Sequence, residues 1–167
     1  MKIRAIKECE WETVRALRIA SLQDAPLSFS ETRLEAEAQP NEYWIDLTRS
    51  LTNAHVMLVA ESDSTFLGSV YGIKDESNSH AGRIGGMWVT SEFRSQGIGR
   101  SLPMSVLEWC KEQKFNRIGL WVPTNNSPAQ SLYSNAGFVK NGLSKIVGER
   151  KIEIVEMTLS LDNNTLR

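Results

Sequence analysis

Cysteine, histidine and surplus charge are all scarce in this sequence. Of its 167 residues two are cysteine and two are histidine, and 19 basic side chains against 20 acidic ones leave a formal charge of −1. Cys9 and Cys110 stand far apart, with no CxxC pair and no histidine cluster beside them, so neither a disulfide framework nor a metal site is expected. Without a basic excess there is no electrostatic footprint for DNA or RNA, which argues against a nucleic-acid partner. Long apolar runs are missing too, and Met1 to Glu10 interleaves charges with single apolar residues where a signal peptide would carry an apolar core. No membrane association and a cytoplasmic location are therefore expected.

What the chain does have is the balance of an ordinary globular protein, 41% hydrophobic and 23% charged, at a length suited to one domain. A single domain over 1–167 is expected, with a frayed polar tail over 162–167. Lys2 to Ile6 reads as a short edge strand, and Trp11, Val14, Leu17 and Ser21 fall at near-helical spacing. Between Gln23 and Pro40 the periodicity weakens, and Tyr43, Trp44, Leu47 and Leu51 suggest a second short helix. From His55 three β-branched and aromatic runs follow, as in an antiparallel meander, the last over Arg83 to Thr90. Leu102, Val106, Trp109 and Cys110 then share one face of a helix over Gly99 to Phe115, in which Pro103 implies a late start or a kink. Asn116 to Val122 reads as a strand, Ser127 to Asn135 as a short helix opened by Pro128 and stopped near Gly137, and Phe138 to Val147 with Ile152 to Leu161 as a closing hairpin.

The most informative stretch is Arg94-Ser95-Gln96-Gly97-Ile98-Gly99-Arg100, set between a strand and a helix. Glycines let the backbone approach a phosphate, successive amides can point inward, and a helix N-terminus adds about half a positive charge. Arg94 and Arg100 can add full charges. A Gly-x-Gly serves a plain turn equally well. Two better-known phosphate motifs fail here: the third glycine of the dinucleotide fingerprint falls at Leu102, and the Gly-Lys-Ser/Thr ending of a P-loop is absent.

Arg94-x-x-Gly97-x-Gly99 resembles the Q/R-x-x-G-x-G/A motif of the Gcn5-related N-acetyltransferases, in which that loop holds the pyrophosphate of coenzyme A. Downstream, Asn126-x-x-Ala129-x-x-Leu132-Tyr133-x-x-x-Gly137-Phe138 is similar to the family's second motif, in the family's order. Weaker likenesses lie at Asp24 to Phe29 and at Glu156-Met157, so the resemblance runs from Ile3 to Leu161. It implies an α/β fold, a twisted mixed sheet flanked by helices and splayed between its fourth and fifth strands, where the pantetheine arm enters. It also implies an acetyl-coenzyme A co-substrate, bound by the Arg94 to Arg100 loop, by Asn126, and by the backbone of Met87, Trp88 and Val89 acting as though the arm were another strand. Met87 and Trp88 can equally be core fillers. Asn126, with Asn125 beside it, has an equal use as a helix N-cap.

The resemblance further implies transfer of acetyl to an amine. An alkylammonium with a pKa near about 10 must lose a proton before it attacks a thioester, and the departing thiolate gains from a positioned donor. Tyr133 is the candidate donor, with aromatic packing on one side of the short helix, suited by Leu132 and Gly137-Phe138, as the alternative, and the amide of Val89 is a candidate for the oxyanion. Many relatives carry a glutamate on the fourth strand; here that stretch reads Ile84-Gly85-Gly86-Met87, so the base is unassigned. His80, Glu153 and Glu156 could substitute, although each reads more simply as a loop or solvated-face residue, and a water chain is the remaining option. Glu31, Glu35, Glu37, Glu42 and Asp46 crowd the segment facing the acceptor in the family, which would favour a cationic amine if they line the cleft. A catalytically silent acyl-coenzyme A sensor is the alternative function, and a homodimer is among the assemblies the sequence allows.

Overall fold

The computed structural model describes residues 1–161; the tail expected to fray, 162–167, lies outside the described residues. Its elements in chain order are β1 (Lys2–Ala5), α1 (Trp11–Asp24), α2 (Arg33–Glu37), α3 (Asn41–Asn53), β2 (Val56–Ser62), β3 (Thr65–Lys74), β4 (Ala81–Val89), α4 (Ile98–Glu112), β5 (Arg117–Pro123), α5 (Ser127–Asn135), β6 (Val139–Val147) and β7 (Ile152–Ser160). Short 3-10 turns at Pro26–Ser28 and Ser91–Phe93 fill two of the connections.

The sheet has seven strands in the order β1-β2-β3-β4-β5-β7-β6, antiparallel at every junction except the parallel β4–β5 pair. Asp63 and Ser64, both at positive φ, close the β2–β3 hairpin as a two-residue turn whose twist suits the flanking strands. The single parallel junction follows from α4, which carries the chain across one face between β4 and β5, the crossover that parallel pairing requires. The parallel pair confirms the mixed α/β class expected from the sequence.

Two cores flank the sheet. On one face Ile98, Leu102, Val106, Leu107 and Cys110 of α4 pack on Leu58, Val70, Ile84, Leu120 and Met157. On the other, α1 and α3 bury Val14, Leu17, Trp44 and Leu51 against Met57, Val59 and Trp88. No buried residue of β5, β6 or β7 belongs to this second cluster, so the far end of the sheet has its helices on one side only. There β6 is exposed along nearly its whole length.

Pro103 does not delay α4. The helix starts at Ile98, because the Gly97 carbonyl accepts the amides of Arg100 and Ser101 at 3.0 Å and sets the first turn upstream of the proline. No helix among the described residues is long and apolar enough to cross a membrane.

Candidate active site

The site begins where two strands part. β4 and β5 pair over four rungs, from Ala81↔Arg117 to Ile84↔Leu120. Beyond that both strands run on, to Val89 and Pro123, without further pairing to each other. A bulge in β4 accounts for the divergence: Tyr71 pairs with Gly85 and Ser69 with Trp88, so Gly86 and Met87 together oppose Val70. The extra residue bends and twists the strand away from its neighbour. Gly86 sits at φ +56°, and a Cβ there would lie 2.5 Å from Cε2 of Tyr71, which makes glycine a requirement of the bend.

The edge of β4 facing the gap can be read from alternation. The Thr90 amide donates to the Leu67 carbonyl at 2.9 Å, toward β3. Successive residues turn their peptide groups to opposite edges. Met87 and Val89 therefore present theirs to the gap, while Trp88 turns its own to β3 and buries its ring beneath α1 and α3.

At the mouth of the gap the chain passes through Arg94 to Gly99 into α4. Ser95 at φ +61° and Gly97 at φ +85° alternate with ordinary residues, and the amides of Gln96, Gly97, Ile98 and Gly99 have no backbone acceptor among the described residues. A Cβ on Gly97 would meet nothing within 4 Å. Four amides without a backbone acceptor at an exposed helix N-terminus suit an anion such as a pyrophosphate. The residues present thus fit the coenzyme A that the sequence motif implies. Arg100 is exposed on the first turn of α4. Arg94 folds back over the end of β4, where its Nε donates to the Val89 carbonyl at 3.1 Å and its guanidinium pairs with Asp24. Asp24 also accepts from Trp88 Nε1 at 2.7 Å, so the end of α1 is tied to the phosphate-facing loop. The Gln96 side chain reaches the Glu92 carbonyl at 3.4 Å.

On the far side of the gap, α5 brings in Asn126 and Tyr133. Asn126 caps the helix, accepting the Ala129 amide at 3.2 Å, and its Nδ2 donates to Ser28 Oγ at 3.4 Å. Tyr133 packs edge-on against Phe138, with centroids 5.7 Å apart, in the same core as Val89, Ile98, Leu120 and Val122. Burial pushes its phenol above the ordinary tyrosine value, because the phenolate loses its hydration. The hydroxyl therefore stays protonated, as a proton donor must.

The three substitutes considered for the base stand apart from one another. His80 is exposed at the start of β4, at the paired end of the β4–β5 junction and remote from the gap. Glu153 is exposed at the open end, within 3.4 Å of Thr124 Oγ1. Glu156 is no solvated-face residue: it is 2% exposed. Arg83 Nη1 donates to its Oε1 at 2.9 Å, Asn141 donates to Oε2, and Arg117 lies 3.8 Å away. Gly119 lies on the strand between, where a Cβ would stand at ordinary contact distance, 3.5 Å, from both Arg83 Nη1 and Glu156 Oε1. A lone glutamate in sequence carries no sign of such a network; only the strand order β4-β5-β7 creates it.

Comparison with known proteins agrees with this geometry. The model of the acetyltransferase (GNAT) family matches residues 16–138. The chain belongs to the GNAT family. A putative [ribosomal protein bS18]-alanine N-acetyltransferase of Bacillus subtilis is 32% identical over 90 residues, 53% of this chain and 56% of the relative. Mouse N-acetyltransferase 8B is 31% identical over 105 residues, 60% of this chain and 45% of the relative. The chain thus spans about half the length of the curated relatives it matches. Among solved structures, a ribosomal-protein-alanine N-acetyltransferase from Brucella melitensis superposes with a TM-score of 0.78 at 22% identity, covering 96% of this chain and 100% of that one. A putative acetyltransferase from Salmonella typhimurium, solved with acetyl-CoA, gives 0.80 at 15% identity, covering 100% and 97%. Such distant likenesses establish the fold. Among the described residues no cluster of three or more metal-ligating side chains exists.

Proposed function

We propose that this GNAT protein is an enzyme that transfers acetyl from acetyl-CoA to a primary amine by direct attack on the thioester, and that 1–167 forms one such domain. The observation that carries the reading is the parting of β4 from β5 after Ile84↔Leu120, with two peptide groups turned into the gap and four unpaired amides at its mouth. Acetyl-CoA, when bound, supplies the activated acetyl group. The amides of Gln96 to Gly99 hold its pyrophosphate, joined by Ser95 and the positive charges of Arg94 and Arg100. Met87 pairs with the pantetheine arm as a neighbouring strand would, Trp88 keeps its register through β3, and Asn126 adds a side-chain contact. The Val89 amide is preorganised for the oxyanion, and Tyr133 gives its proton to the leaving sulfur.

We take the base to be a water chain, because the Glu156 carboxylate is engaged by Arg83 and Asn141, His80 lies at the wrong end of β4, and Glu153 is exposed beside Thr124. The acidic segment gives little reason to prefer a cation. Glu31 pairs with Arg18 at 2.8 Å, Glu37 with Arg33 at 2.6 Å and Asp46 with Arg49 at 2.9 Å, while Glu35 closes a capping box with Thr32. Relatives named for a ribosomal protein's alanine and neighbours named for spermidine mark the two amine classes to test first. A panel of peptide N-termini and polyamines incubated with acetyl-CoA should release free thiol with at least one member. Thiol release with none of them, alongside a raised melting temperature on acetyl-CoA, would turn the reading to an acyl-CoA sensor.

A further inference from the structure

Trp121 is the first residue of β5 beyond the last rung shared with β4, so it stands on the strand that borders the gap. Its neighbours Leu120 and Val122 point into the core under α4, and alternation sends the indole to the opposite face. Among the described residues no α-helix packs on that face of β5 and β7, although the Pro26–Ser28 turn packs against β5, and we take it as the side from which an acceptor approaches. The indole is already covered. Lys145, on β6, reaches back across β7 and holds its Nζ 4.2 Å from the centroid of the Trp121 ring. Among the described residues no carboxylate pairs with this ammonium; the nearby Glu156 is taken by Arg83, Arg117 and Asn141. The attraction is to the ring face alone, so no ion pair has to break before the amine moves toward the gap.

We propose that Lys145 is a site of self-acetylation. An alkylamine of this chain is held against Trp121, the first residue of β5 past the point where it parts from β4. The proposal rests on the acetyl-CoA reading of that gap. Lys145 gives one proton to solvent, and its nitrogen then forms a bond to the acetyl carbonyl carbon. The carbon–sulfur bond breaks, and the sulfur leaves with the bonding pair and takes up the second nitrogen proton, relayed through Tyr133. The products are Nε-acetyl-Lys145, coenzyme A as the free thiol, and one proton. Acetylation removes the charge that holds the side chain to Trp121, which uncovers the indole for an incoming acceptor.

Incubation of the intact protein with acetyl-CoA alone, followed by digestion and mass spectrometry, tests this directly. Lys145 should gain acetyl at least about tenfold faster than the exposed Lys140 and Lys114, as expected for an amine held near the thioester, and its first-order rate constant should not change with protein concentration. Gly97→Asp should drop Lys145 to the rate of those two lysines, and Trp121→Leu should slow Lys145 alone. Labelling of Lys145 no faster than Lys140, or a rate constant that rises with protein concentration, overturns the proposal even if neither variant folds. If Lys145 stays unmodified while a panel amine releases thiol, self-acetylation falls and the enzyme reading stands. If neither occurs and acetyl-CoA leaves the melting temperature unchanged, both fall.

Discussion

Gly86 and Gly97 lie at opposite ends of the same gap, both at positive φ, and they are glycines for different reasons. At Gly86 a Cβ would be 2.5 Å from the ring of Tyr71, whereas at Gly97 it would meet nothing within 4 Å. The first position is filled by the protein itself. The second is open to solvent, its left-handed backbone starts α4, and four amides without a backbone acceptor adjoin it. A glycine that packing demands marks architecture; open space points to a ligand only with unpaired amides beside it, since Gly142 at φ +87° also meets nothing within 4 Å. Stability and binding should therefore separate cleanly between the two sites.

The largest expected effect is at Gly86. Gly86→Val combines the left-handed conformation, at about 1–2 kcal/mol, with a clash against a packed ring, at about 1–3 kcal/mol, so urea denaturation should show a loss of about 2–5 kcal/mol. A loss below about 1 kcal/mol would mean that the bulge tolerates a side chain and that packing does not fix it. At Gly97 the order of effects reverses. Gly97→Asp should lower stability by only about 1 kcal/mol, because aspartate tolerates this conformation, yet it should abolish the melting shift produced by acetyl-CoA. Gly97→Asn separates charge from bulk: it should weaken the shift less than aspartate does, since the pyrophosphate then meets an amide in place of a carboxylate.

The same contrast explains what could be read from the sequence. The turn from β4 into α4 was legible because it is built from backbone, and backbone use leaves a local trace in glycine spacing, Arg94-x-x-Gly97-x-Gly99. The strand, helix and hairpin order was legible from periodicity, except for the short α2 (Arg33–Glu37), which forms where periodicity weakens and is held by a capping box at Thr32 and Glu35. Glu156 reads as solvated in sequence because its partners Arg83 and Asn141 lie 73 and 15 positions away. The start of α4 was misplaced because Pro103 was weighed by its own lost amide, without the upstream carbonyl of Gly97 that sets the first turn. The pairing of the acidic segment with Arg18, Arg33 and Arg49 is likewise a product of tertiary placement, apart from the pairs one helical turn apart.

Tyr133 tests whether the far wall of the gap carries chemistry or only packing. Tyr133→Phe keeps the ring on Phe138 and removes the hydroxyl, so acetyl-CoA affinity should persist while kcat falls by about ten- to a thousandfold. The pH profile offers an independent check. Burial raises the phenol's pKa above its ordinary value of 10.0, so the protonated donor persists through the whole range below that value. The rate on an amine should then climb with pH as the acceptor loses its proton, with no descending limb from Tyr133 below about pH 10. A descending limb near neutrality that vanishes in Tyr133→Phe would show that the hydroxyl titrates in that range, contrary to its burial.

The smallest effect is expected on the acceptor side, where charged side chains take the place of backbone. Glu35 accepts the Thr32 amide and holds its carboxyl below the usual glutamate range chiefly through hydrogen bonds to Thr32. Its contribution to α2 is present above the unfolded value near 4.5 and fades as pH falls through the depressed one, so it supports the helix at neutral pH and does not reach toward a substrate. Glu42 is exposed in the first turn of α3, where a carboxylate is favoured by the helix dipole. Replacing both with glutamine should therefore leave KM for a cationic amine within about twofold, as is usual for solvated surface charges. Salt bears on the same question, because at physiological ionic strength charges farther apart than about 8 Å are largely screened. A KM that rises severalfold in the double variant, and also rises with salt in the parent protein, would show that the acidic segment draws cations to the cleft despite its internal pairing. The contrast between a backbone-built cofactor side and a self-satisfied acidic rim would then fail on the acceptor side.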